Sequence, residues 1–154
     1  MSENSPPRLV SFDICDDIRP EQSGKLTLVG YYGRAIRVGS LPATLSKLCF
    51  LAQFEPLAEG LSVDIRVMSP SGAVLLNAEK LRVVIPDQSH LVPKEFRHTL
   101  LLLQIVPMPI NEEGVYRADF AFSDSSTITT SFYVAADPSL VKNTESNSKP
   151  ELKS

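Results

Sequence analysis

The chain has 154 residues and a mass of 16.9 kDa, with 43% apolar residues, 21% charged residues and a formal net charge of −3. Such a length and composition suit one globular domain with its own core rather than a disordered chain. The acidic balance, with a pI of about 5.4, removes the electrostatic ground for nucleic-acid binding, which needs a concentrated basic face, and for adhesion to anionic membranes.

Residues 1–7 read as a flexible lead-in that lacks the basic and apolar regions of a secretory signal, which predicts a cytoplasmic protein. From there the dominant period is two. Residues 8–15 alternate Val10, Phe12 and Ile14 with Ser11 and Asp13. Residues 25–32 and 47–54 are rich in strand formers and apolar on both sides in places, as central strands can be. In residues 61–69, Leu61, Val63, Ile65 and Val67 alternate with Ser62, Asp64 and Arg66. Ser69, Pro70 and Gly72 form a turn signal after that strand, and residues 81–85 make a short strand candidate. Residues 86–97 form the longest irregular stretch. Residues 98–106 contain four consecutive leucines, Leu100 to Leu103, and could be a buried helix; Pro93, Pro107 and the short length favour a strand.

Two further alternating runs follow. The inward set is Tyr116, Ala118, Phe120 and Phe122 in the first, and Ile128, Thr130, Phe132 and Val134 in the second, with a turn at Asp124, Ser125 and Ser126 between them. Residues 137–154 are polar, mixed in charge and too poor in apolar surface to offset ordering entropy, so they read as a disordered tail. The sum is an all-β domain over residues 8–136 with about nine short strands, predicted to be an antiparallel β-sandwich.

One local pattern refines the fold. Glu112, Gly114 and Tyr116 open the penultimate strand. They resemble the tyrosine corner of immunoglobulin-like domains, where the tyrosine hydroxyl bonds back to the backbone at the join of the two sheets. The resemblance implies a structural role for all three residues. Position 118 is alanine and the chain contains no tryptophan, so the inter-sheet disulfide of antibody domains is excluded at that place.

A second resemblance covers more of the chain. Cys15, Asp16 and Asp17 after Phe12 and Asp13, then Gly24, Lys25, Leu28 and Gly30 in a Gly-Lys-x-x-Leu-x-Gly strand, then Leu48, Cys49 and Phe50, are similar to an uncharacterised domain-of-unknown-function family of bacterial and phage proteins. With Gly114 and Tyr116 near the end, the likeness spans most of residues 8–135. It implies a β-sandwich and attaches no activity.

Candidate chemistry is sparse. Asp13, Asp16 and Asp17 could contribute to a hard-cation site, with Asp87 or Asp124 as supporting ligands, since calcium takes six to eight oxygens; the preferred reading is that Asp16 and Asp17 cap a strand end. Cys15 and Cys49 show neither metal-ligand spacing nor a disulfide framework and are expected to be free, partly buried thiols. A catalytic thiol would need a histidine nearby. The histidines are His90 and His98, so an arrangement of Cys15, His98 and Asp17 is the form such a site would take. Tyr31 and Tyr32 place one ring on each face of their strand, one in the core and one available for contact. No cofactor motif is present, and the expected function is a non-enzymatic protein-interaction or structural module, with a protein partner or a second copy as the contact. The alternatives are a calcium- or lipid-dependent binding module on residues 13–17 and a thiol enzyme.

Overall fold

Where apolar residues recur at every second position, a strand can bury one face only, and two such sheets must close on each other. The computed structural model, which describes residues 5–84 and 91–141, shows that arrangement. One sheet has four strands in the order β2 (Leu26–Gly33), β1 (Leu9–Pro20), β5 (Leu48–Phe54), β8 (Thr99–Ile105). The other has five, in the order β3 (Ala35–Val38), β11 (Thr127–Ala136), β10 (Gly114–Phe122), β6 (Ser62–Met68), β7 (Val74–Arg82). A small pair, β4 (Ala43–Leu45) with β9 (Met108–Ile110), closes one end. Pairing is antiparallel except between β3 and β11, which run parallel. The fold is an all-β sandwich.

The two sheets meet along a seam of aromatic rings. Phe12 of β1 and Phe54 of β5 set their rings edge-on to Phe120 of β10, with centroids 6.3 and 5.3 Å apart. Phe54 also meets Phe122 at 5.7 Å, and Phe50 meets Phe132 of β11 at 5.6 Å. Edge-to-face and tilted pairs are the geometries that the ring quadrupole favours. Around them Ile14, Ile36, Leu48, Val63, Ile65, Val67, Ala118 and Val134 are buried.

The turns follow their sequence signals. Gly72, at φ +93°, donates its N–H to Ser69 O at 2.9 Å, and Ser69 N–H donates to Ala73 O, which joins β6 to β7. Asp124 accepts from Ser126 N–H at 2.9 Å in the turn between β10 and β11.

Several expectations need correction. The strand at the start of the chain does not end at residue 15; it continues through Asp16 and Asp17 to Pro20, because β2 pairs with that second half. Val10 faces solvent rather than the core, since a bulge between Leu9 and Ser11 shifts the alternation and turns Leu9 inward. Eleven strands are present among the described residues, not nine; β3, β4 and β9 have at most four residues, too few to show a period. The run of leucines needs no correction: it is strand β8, the reading that its length and flanking prolines favour. Residues 137–141 are ordered, unlike the tail predicted from residue 137: Asp137 N–H donates to Val38 O at 2.7 Å, and its carboxylate pairs with Arg37 at 3.3 Å. The rest of that tail, residues 1–4 of the lead-in, Ile85, Asp87 and His90 lie outside the described residues.

Candidate functional site

In a strand, successive side chains point to opposite faces, so the acidic stretch cannot gather its carboxylates. Asp13 and Asp17 lie on the outer face of the four-stranded sheet, with Asp16 on the opposite side, and each has a different partner. Asp13 accepts from Tyr31 Oη at 3.1 Å. Asp16 accepts from the Tyr32 hydroxyl. Asp17 accepts from Lys47 and, at 2.9 Å, from Arg19 Nε. The Lys47 hydrogen bond, seconded by Arg19, holds the Asp17 carboxyl down at about 2. Burial, followed by the Asp16 hydrogen bond, pushes the Tyr32 hydroxyl up to about 12. Asp124 is occupied by Ser126 at the far side of the chain, in the turn of the other sheet. Among the described residues no group of three or more histidine, cysteine or acidic side chains could hold a metal ion.

The same corner explains a glycine. Gly30 lies at φ +66°, and a Cβ there would come within 2.7 Å of Asp16 Cγ. The two segments quoted for the family resemblance, the Cys-Asp-Asp opening and the Gly-Lys-x-x-Leu-x-Gly strand, therefore touch at Asp16 and Gly30.

Register aligns a row across the outer face: Tyr31 of β2, Cys15 of β1, Cys49 of β5 and Gln104 of β8. Both thiols are free and, at 0% and 3% exposure, fully rather than partly buried. Burial raises both thiol pKa values. His98 is remote from them. It precedes Thr99, which pairs with Phe54, whereas Cys15 pairs with Cys49; five positions along β5 amount to roughly 17 Å. The structure does not bring Cys15, His98 and Asp17 together. His98 instead lines a surface cleft with Arg8, Glu55, Lys94 and Glu95.

The next rows of that face are polar on β1 and carry leucines on β5 and β8. Asp13, Leu51 and Leu102 align, then Ser11, Gln53 and Leu100. Leu100 and Leu102 are 44% and 50% exposed and Tyr31 is 61% exposed, whereas Tyr32 packs partly against the core. β8 ends the sheet, with no strand on its other side among the described residues, and carries no charged residue. The outer face of the five-stranded sheet differs: Arg117 and Asp119 form an ion pair at 3.2 Å, and Asp119 accepts from Thr129 at 2.9 Å. The leucine surface was not singled out from sequence. The sequence offers only an uncharged run of four leucines, Leu100 to Leu103, with nothing to mark which of them face outward.

At the opposite sheet, Tyr116 donates to Glu112 O at 2.8 Å and stacks on Phe132 with centroids 5.3 Å apart. The Glu112 carboxylate accepts from Ser71 N–H at 2.9 Å, and a Cβ on Gly114, at φ +132°, would sit 3.2 Å from Pro70 Cγ. Glu113 accepts from Ala136 N–H at 3.2 Å. The segment thus fastens the β6–β7 turn and the end of β11 to the start of β10.

A family model described as a family of unknown function (DUF6941) matches residues 10–135. The chain belongs to DUF6941. No curated protein matches it. Among solved structures, the C-terminal domain of wzt is similar to this DUF6941 chain with a TM-score of 0.39 and 11% identity, covering 87% of this chain and 76% of that one. A similarity of that size bears on neither partner nor activity.

Proposed function

We propose that the chain is a non-enzymatic protein-interaction or structural module, cytoplasmic in location, whose contact surface is the leucine-rich outer face and free edge of β8. The observation that carries this reading is the pair of half-exposed leucines, Leu100 and Leu102, on an uncharged edge strand. An edge strand presents a row of free backbone groups, and proteins normally blunt such an edge with charge, proline or a bulge. β8 has none of these over Thr99–Ile105. Covering the exposed half of each leucine contributes about 1 kcal/mol per side chain, and strand addition supplies backbone hydrogen bonds as well. Edge pairing with a second copy would satisfy both.

The other readings draw less support. A calcium- or lipid-dependent site would need converging oxygens, and the three carboxylates are committed to three separate partners on two faces. A thiol enzyme would need a base beside Cys15 or Cys49, and His98 lies at the other end of β5. No helix among the described residues is long and apolar enough to cross a membrane.

Light scattering behind size exclusion tests the proposal. The chain is expected to exceed monomer mass as concentration rises, and Leu102→Lys to restore the monomer with the melting temperature little changed. A strict monomer at the highest workable concentration, or a Leu102→Lys variant that associates as before, counts against it.

A further inference from the structure

We infer that Cys15 and Cys49 form a redox-sensitive dithiol that closes to a cross-strand disulfide when the protein meets a hydroperoxide. The two residues are direct partners across the antiparallel β1–β5 pair. Both side chains leave the same face: Ile14, Leu48 and Phe50, their neighbours in sequence, turn into the core. Their sulfurs reach consecutive carbonyls of one segment, Cys15 Sγ donating to Asp17 O at 3.3 Å and Cys49 Sγ to Asp16 O at 3.7 Å. Facing residues of antiparallel strands have Cα atoms roughly 4.5–5.5 Å apart, inside the roughly 4.4–6.8 Å window of disulfides. The bond therefore needs side-chain rotation and no backbone rearrangement.

The surroundings assign an order. Burial works against ionisation of both thiols, and Asp16 and Asp17 disfavour the thiolate at both, but Cys49 also has Lys47, two residues away and bonded to Asp17, to favour its thiolate. Cys49 is the attacking sulfur. Its thiolate sulfur bonds to one oxygen of hydrogen peroxide as the O–O bond breaks, and the departing hydroxide takes the thiol's proton to give the first water and a sulfenic acid; Cys15 then attacks that sulfur, forming the S–S bond as the S–O bond breaks, and its proton leaves with the hydroxyl as the second water. Two thiol protons and two electrons pass to one peroxide, giving two waters and one disulfide. Burial of both thiols, at 0% and 3% exposure, makes the step slow, and the product ties β1 to β5.

The test uses the full chain treated with hydrogen peroxide, quenched in denaturant with iodoacetamide and weighed intact. The expected result is a loss of two hydrogens with no alkylation, a peptide pair joining Cys15 to Cys49, and a melting temperature raised by roughly 5–15 °C. Full alkylation of both cysteines, two separate sulfinic acids, or a disulfide between chains would overturn the inference. For the order, Cys15→Ser is expected to trap a dimedone-reactive sulfenic acid on Cys49 at least about tenfold faster than Cys49→Ser does on Cys15; equal rates, or the reverse, would refute it.

Discussion

Tyr116 brings a hydroxyl into a core of phenylalanine rings and gives it one acceptor, the Glu112 carbonyl at 2.8 Å. Removing the hydroxyl strands that carbonyl, so Tyr116→Phe should cost about 1–2 kcal/mol in urea unfolding, with the fold unchanged by circular dichroism. Gly30 presents a different constraint. At φ +66°, with the Asp16 carboxyl folded over it, an alanine meets both backbone strain and overlap, and Gly30→Ala should cost roughly 1–3 kcal/mol. Adding Asp16→Ala should recover part of that loss, because it removes the carboxyl overlap and leaves the strain and the tight contact with the residue-16 Cβ at 3.0 Å. If the double variant is no more stable than the single one, Asp16 is not the obstacle. The Glu-Glu-Gly-x-Tyr segment was legible in sequence as a corner, yet the Glu112 latch onto Ser71 was not, because that contact bridges 41 positions and only the fold brings the two residues together.

At the scale of elements, β6, β10 and β11 were readable because each has one buried and one wet face, so polarity alternates cleanly. β1 was readable only in part. Two adjacent aspartates look like the end of a strand, since acids are poor strand formers, but Tyr32, Lys47 and Arg19 satisfy them in place and the ladder with β2 continues. β7 was seen only at its last residues, since Asn77, Glu79 and Lys80 break its pattern on the exposed edge of the five-stranded sheet. The candidate site suffered similarly. Its leucines belong to a strand whose outward phase is as apolar as its inward one, so composition hid which face was exposed. The monomer-restoring effect of Leu102→Lys belongs to this scale, because one charge on β8 alters a whole edge. Core-facing Leu101 and Leu103 are untouched by that change, which is why melting should barely move.

For the molecule as a whole, charge sets the pH range of stability. Asp17 titrates at about 2 instead of near 3.8, first through Lys47 and then through Arg19. Glu112, Asp124 and Asp137 are lowered as well, by serine hydrogen bonds. A depressed folded-state pKa means that the unfolded chain binds more protons as acid is added, so this stability is complete above pH about 4 and disappears as pH falls through about 2. On the alkaline side the sign reverses. Tyr32, raised to about 12 by burial and Asp16, supports the fold below pH about 10 and ceases to as pH climbs through 12. Cys15 and Cys49, raised from 9.0 by burial, act in the same direction, so melting temperature should be level between pH about 4.5 and about 9 and fall outside that range. In Lys47→Met the acid fall should be shallower, since the main cause of the Asp17 shift is gone; a profile identical to the parent's would refute that assignment.

The parallel contact of β3 with β11 has a consequence for the order in which a ribosome can complete this protein. All four strands of the β2-β1-β5-β8 sheet lie within the first 105 residues, so that layer can assemble while translation continues. Its partner layer cannot. β6 and β7 have emerged by residue 82, but they must wait for β10, and β3, made among the first strands, finds its neighbour only when residues 133–136 leave the exit tunnel. Until β10 emerges the first layer carries Phe12 and Phe54 without the opposing Phe120 and Phe122, and Phe50 waits longer, for Phe132 of β11. A chain ending before residue 114 would keep all three rings without partners in the other sheet.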